Sequence, residues 1–266
     1  MKIGIFDSGL GGLLILRSII KKLPQYDYVY LGDTKRIPYG SRTQNTIHSF
    51  TRQAVAYLLK NNCQLVVLAC NTASSSALRK IQREYLPKNY PNRRVLGIII
   101  PTAEQTIHDS KIRKIGILAT SSTVDSKSFL REFKKLNPAL QVYQSPAPRL
   151  VPLLEAGKTA QAVRLAKKYL KPLLKKQVDA IVLGCTHYSL LADEIQKIAG
   201  RKIKIVDQTD FIARKLAEYL ARHPEIKSKL EKKGKLDLRV TKISEPILQN
   251  SKAWFGANAR LKLVKI

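Results

Sequence analysis

Apolar residues along this chain fall into short unbroken runs, separated by longer stretches in which they recur every three or four positions. The runs "KIGIF" (2–6), "DYVYLG" (27–32) and "QLVVLA" (64–69) predict strands, and the segments 11–23, 43–60 and 74–85 that follow them predict helices. The segment "NYPNRR" (89–94) interrupts this rhythm with proline and charge. It then restarts with "VLGIII" (95–100), "KIGILA" (114–119) followed by a helix over 124–136, "LQVYQS" (140–145), a helix over 158–175, "DAIVLG" (179–184) followed by a helix over 190–198, and "IKIVD" (203–207). Near-continuous apolar strands alternating with helices predict an α/β fold, with parallel sheets covered by helices on both faces. Pro172 predicts a kink or break in the helix that contains it. Beyond residue 224 the pattern weakens. A basic helix near 227–233 leads to the strand-like pieces "LDLRV" and "RLKLVKI", with "NSKAWFGANA" (250–259) between them reading as turn.

The two halves share a local pattern. "LVVLACNTASSSALRKIQ" and "AIVLGCTHYSLLADEIQ" each run from strand through a small residue to cysteine, a polar pair and a helix. This predicts two related sheets facing one another. Ligands of open α/β sheets bind beyond the carboxyl ends of the strands, where both cysteines stand.

Composition narrows the class. A chain of 266 residues with 44% hydrophobic content can fill the cores of two α/β lobes. With no basic and apolar leader pattern and no apolar run of membrane-spanning length, a soluble cytoplasmic protein without membrane contact is expected. Three widely spaced cysteines, Cys63, Cys70 and Cys185, make no disulfide framework and read as free thiols. Lys and Arg number 48 against 19 Asp and Glu, a formal charge of +29. Such a field attracts anions, nucleic acid among them. Paired lysines recurring on helical stretches read first as a solvated surface, with nucleic-acid binding as the second reading.

A thiol between a strand and a helix start lies near unpaired backbone N–H groups that favour thiolate. Cysteine is also a common core residue, so Cys70 or Cys185 alone reads as packing; as a matched pair at strand ends they read as chemistry. His187, two residues after Cys185, can stabilise a thiolate or shuttle a proton. Zinc-ligand spacing is absent, so no metal is expected. "FDSGLGGL" (6–13) sets Asp7 and Ser8 before a glycine turn suited to a small anion, and it matches neither a phosphate loop nor the dinucleotide pattern. "YLGDTKRIPYGSR" (30–42) adds Asp33 and a Pro38-Tyr39-Gly40 turn.

Together "GIFDSGLGGL", "GDTKRIPYG", "LACNTAS", "LATSSTVDS", "LVPLLEAG" and "LGCTHYSLL", in this order and spacing, resemble the glutamate racemases of the cofactor-independent aspartate/glutamate racemase superfamily. The resemblance covers roughly residues 3 to 220. It implies interconversion of L- and D-glutamate by proton transfer at the α-carbon, with no cofactor and no metal, supplying D-glutamate for peptidoglycan. Cys70 and Cys185 match the two acid–base thiols, with Cys70 acting on D-glutamate and Cys185 on L-glutamate. Asp7 and His187 match assisting residues. Asp7, Ser8, Tyr39, Gly40, Asn71, Thr72, Thr186 and His187 match substrate contacts. It further implies a homodimer and two lobes, residues 1–94 with 209–266 carrying Asp7 and Cys70, and residues 95–208 carrying Cys185 and His187. Two departures stand out. Ile100-Pro101-Thr102 replaces a carboxylate-bearing segment expected near the site, which leaves aspartate or another acidic amino acid as an alternative substrate; the other alternative is a catalytically reduced racemase fold that binds nucleic acid through its basic surface. Arg149 is expected on a loop facing the cleft.

Overall fold

The computed structural model describes residues 1–266. The first sheet has six parallel strands in the order β10-β9-β2-β1-β3-β4: β1 Lys2–Asp7, β2 Tyr28–Gly32, β3 Cys63–Leu68, β4 Arg94–Gly97, β9 Leu236–Val240 and β10 Leu261–Leu263. The second sheet has four parallel strands in the order β6-β5-β7-β8: β5 Lys114–Ala119, β6 Gln141–Pro146, β7 Ala180–Gly184 and β8 Lys204–Val206. These are the two parallel-sheet α/β lobes that the alternating pattern predicts. The central strands β1, β3 and β7 are buried almost throughout, which is why their sequences are unbroken apolar runs.

One apolar cluster joins the lobes. Ile3, Ile5 and Leu65 of the first sheet share it with Ile115, Ile117 and Val182 of the second, with Leu13, Leu16 and Ile19 of the helix Gly12–Lys22, and with Leu216 and Leu220 of the helix Ile212–Arg222. Smaller clusters back each sheet on its other face. Burial at about 25 cal/mol per Å² of apolar surface makes this shared layer the main term fixing one lobe against the other.

Four expectations need correction. The boundary after residue 94 cuts through β4, whose residues Arg94–Gly97 pair with Leu65–Leu68 of the first sheet. The run "VLGIII" is not one strand, because at Ile99 the chain enters the helix Ile99–Ile107; a buried helix start is as apolar as a buried strand. The helix Thr159–Lys175 continues through Pro172, which, like Lys168 one turn before it, is exposed, so the lost hydrogen bond falls on the solvent side of the helix. "NSKAWF" belongs to the helix Glu245–Phe255, which starts with Pro246 in its first turn and stops at Gly256, at φ 140°.

Candidate active site

The carboxyl ends of β1 and β3 in the first lobe, and of β5 and β7 in the second, meet at one cavity. It is lined by Ser8, Tyr39, Gly40, Cys70, Thr72, Thr120, Glu155, Cys185, Thr186 and His187, with Gly9, Ile37, Pro38, Ser41, Pro148 and Val151. Both sulfurs face it from opposite lobes, and both cysteines are buried.

Cys70 follows β3 and caps the helix Asn71–Lys80. Its backbone is extended, and its sulfur accepts from the Ala73 N–H at 3.4 Å, satisfying one of the free donors of the first turn. The Ser8 hydroxyl lies 3.3 Å from the same sulfur. Asp7 lies behind them, just outside the cavity, where its Oδ1 accepts the Gly9 N–H at 2.8 Å and its Oδ2 accepts the Thr186 hydroxyl at 3.4 Å. Burial pushes the Asp7 carboxyl above its ordinary value of 3.8, while the facing His187 and the Gly9 and Gly12 N–H groups pull the other way. Burial and then the Asp7 charge push the Cys70 thiol up to about 12, against the opposing Ser8 and Ala73 hydrogen bonds. Cys70 therefore holds its proton at neutral pH.

Cys185 follows β7 in extended conformation and leads into a short 3-10 turn, Thr186–Leu191, without capping it. Its sulfur is 3.9 Å from Nδ1 of His187, whose Nε2 donates to Glu155 Oε1 at 2.7 Å. Burial alone would lower the His187 imidazole. Its hydrogen bonds to Cys185 and Glu155 outweigh that and hold it well above the ordinary 6.5, as an imidazolium between a sulfur and a carboxylate. The ring also packs edge-on against Trp254, with centroids 5.4 Å apart. Asn250, one turn earlier on that C-terminal helix, donates to the Glu155 carbonyl at 2.8 Å.

The glycine turn serves close approach of the lobes. A Cβ at Gly11 would come within 2.6 Å of His187 Nδ1 and collide with the Thr186 hydroxyl, so only glycine lets the second lobe in here. Tyr39 is held by its hydroxyl, which donates to Asp33 Oδ2 at 2.5 Å, and Asp33 is fully buried behind it. Thr72 and Thr120 touch across the lobes, hydroxyl to hydroxyl at 2.9 Å.

Of the sequence-predicted residues, Ser8, Tyr39, Gly40, Cys70, Thr72, Cys185, Thr186 and His187 line the cavity, with Asp7 behind it. The Asn71 side chain does not reach it. Its amide pairs reciprocally with Gln208 at 2.8 and 2.9 Å, and Gln208 also donates to Thr102 at 2.9 Å. Ile100 and Pro101 line a separate groove; Arg149 is exposed and outside the cavity, although Pro148 and Val151 of the same segment line it. Glu155 and Trp254 were missed. Glu155 lies in "LVPLLEAG", one of the segments that carry the resemblance, but it was given no role there, and its link to a histidine 32 residues away leaves no periodic trace. No group of three His, Cys, Asp or Glu side chains is arranged to hold a metal ion, and no helix is long and apolar enough to cross a membrane.

Two buried thiols facing one cavity, each with an ionisable neighbour of opposite sign, form an acid–base pair able to work on two faces of a small molecule. The family model for Asp/Glu/Hydantoin racemases matches residues 13–216. The chain belongs to this family. Among curated relatives, it is 36% identical over 241 residues to glutamate racemase 2 of Caldanaerobacter subterraneus subsp. tengcongensis, covering 90% of this chain and 87% of that one. Among solved structures, the glutamate racemase isoform RacE1 of Bacillus anthracis superposes with a TM-score of 0.89 at 30% identity, over 100% of this chain and 97% of that one. The Francisella tularensis glutamate racemase, solved in complex with D-glutamate, superposes with a TM-score of 0.88 at 28% identity, over 99% and 97%. The racemase family thus accounts for the paired lobes and for the cavity between them.

Proposed function

We propose that this chain is a glutamate racemase that exchanges the α-proton of L- and D-glutamate between two cysteines without a cofactor, supplying D-glutamate for peptidoglycan. The observation that carries the reading is the placement of Cys70 and Cys185 on opposite lobes of one buried cavity. Racemisation must remove a proton from one face of the α-carbon and deliver one to the other, so it needs two acid–base groups.

With L-glutamate bound, Cys185 takes the α-proton beside the His187 imidazolium, and Cys70, which holds its own proton, delivers it to the opposite face. With D-glutamate the roles reverse, and Cys70 must first lose its proton. Asp7 is a buried carboxyl that raises the thiol when charged, so it serves as proton relay or as partner for the substrate ammonium. No Lys or Arg lines the cavity. The substrate carboxylates are held by hydroxyls of Ser8, Thr72 and Thr186, by the Tyr39-Gly40 turn and by N–H groups of the Asn71 helix start. Closure of the lobes, through contacts such as Thr72 to Thr120, keeps water from the carbanion.

The test is polarimetry of the purified protein with L- or D-glutamate and no added cofactor, and with L-aspartate in parallel. Loss of optical rotation with glutamate, absent in Cys70→Ala and Cys185→Ala, is expected. Turnover of aspartate in preference to glutamate would move the substrate assignment, and activity surviving either substitution would sink the two-thiol mechanism.

A further inference from the structure

The helix Thr159–Lys175 carries a feature that proton transfer does not use. Between Glu155 and Asp179 the chain has no carboxylate and seven cations: Lys158, Arg164, Lys167, Lys168, Lys171, Lys175 and Lys176. All seven are exposed, and none takes part in an ion pair. Arg164, Lys167, Lys168, Lys171 and Lys175 fall on one side of the helix, within an arc of about 100° and along ~16 Å of its axis. The opposite side, Ala162, Ala166, Leu170 and Leu173, is sealed in the core of the second lobe. Lys176, at the end of the helix and off this stripe, holds its ammonium 5.4 Å from the ring of half-buried Tyr143. The basic stretch 227–235, by contrast, holds a carboxylate: Glu231 pairs with the N-terminal amine at 3.0 Å and lies 3.9 Å from Lys233.

We propose that this helix face docks the phosphate backbone of nucleic acid, without regard to base sequence. Holding five like charges together on one helix face costs stability unless a polyanion neutralises them. A line of cations on a rigid helix fits a phosphate backbone, and release of condensed counterions supplies the affinity. A bilayer surface is the poorer fit, because a helix that lies in the headgroup layer needs a free apolar face and this one has none.

The experiment measures fluorescence anisotropy of a labelled 20-base-pair DNA duplex against a salt series, for three proteins. They are the wild type, the triple variant Arg164→Gln, Lys168→Gln, Lys171→Gln, and a control of equal charge, Lys227→Gln, Lys229→Gln, Lys232→Gln. Racemase activity confirms that each is folded. The helix variant is expected to bind more weakly, with a salt slope shallower by about 2.7, since each lost phosphate contact removes about 0.9. The control keeps the wild-type slope to within one contact. Equal losses in both variants would show that overall charge alone binds the duplex, and would overturn the assignment. Absence of duplex binding at low salt would overturn it too, as would binding only to vesicles containing phosphatidylserine.

Discussion

The two cysteines occupy equivalent strand ends in two similarly built lobes, yet their surroundings have opposite electrical character. Cys70 caps a ten-residue helix and has the buried carboxyl of Asp7 behind it, so its proton is retained. Cys185 caps nothing and lies against an imidazolium that Glu155 holds in place. A repeated fold thus supplies the symmetry that two faces of a carbon require, while two neighbours of opposite charge make one sulfur a ready donor and set the other beside a cation. The enantiomers have equal free energy, so kcat/KM must be the same in both directions for any variant. The asymmetry shows only in kcat, KM and isotope effects.

The largest effect expected is from removing either sulfur. Cys70→Ala or Cys185→Ala should lower turnover by at least about 10³-fold in both directions, because one face then lacks its acid–base group. Next is His187→Asn, which should lower kcat by about 10²-fold, with a larger fall for L- than for D-glutamate. Equal loss of kcat for the two enantiomers would remove the asymmetry from the account. Glu155→Gln takes away one of the two groups that raise His187. The imidazolium is then lost at lower pH, and the alkaline limb of the kcat profile should move to lower pH than in the wild type.

Asp7→Asn separates activity from stability. The folded pKa of Asp7 is raised, so ionising it in the folded state costs stability once pH exceeds the ordinary 3.8. Turnover should fall in the variant while its melting temperature at pH 7 rises above that of the wild type, with the gain fading as pH approaches 3.8. A lower melting temperature at pH 7 would contradict the burial argument. The smallest effect on chemistry belongs to Gln208→Ala. It strips Asn71 and Thr102 of buried partners and should cost about 1–3 kcal/mol in denaturant unfolding, with kcat within a few-fold of wild type.

How much of this was legible follows the physics of each element. Strands such as β1, β3 and β7 were readable because a strand buried on both faces must be apolar throughout. The helix at Ile99 was not, since the same rule makes a buried helix start look like more strand. At the site, residues fixed by local sequence were readable: Asp7, Ser8, Cys70, Cys185 and His187 all stand at strand ends. Partners fixed only by the closing of the chain were not. Glu155 meets His187, Trp254 meets the same ring, and Gln208 meets Asn71 across 137 positions, none with a pattern that betrays the contact. For the same reason the sequence did not show that the Asn71 side chain, next to Cys70, is engaged by Gln208 and leaves only its backbone to face a ligand.

The measurement that bears most directly on the central claim is the fate of the α-hydrogen in D2O, followed by mass spectrometry of both enantiomers during the first few per cent of conversion. Two sulfurs on opposite faces predict that newly formed D-glutamate carries deuterium while the remaining L-glutamate stays protonated, and the reverse when D-glutamate is supplied. Deuterium entering the recovered substrate as fast as the product would mean that one base serves both faces, and would contradict the account.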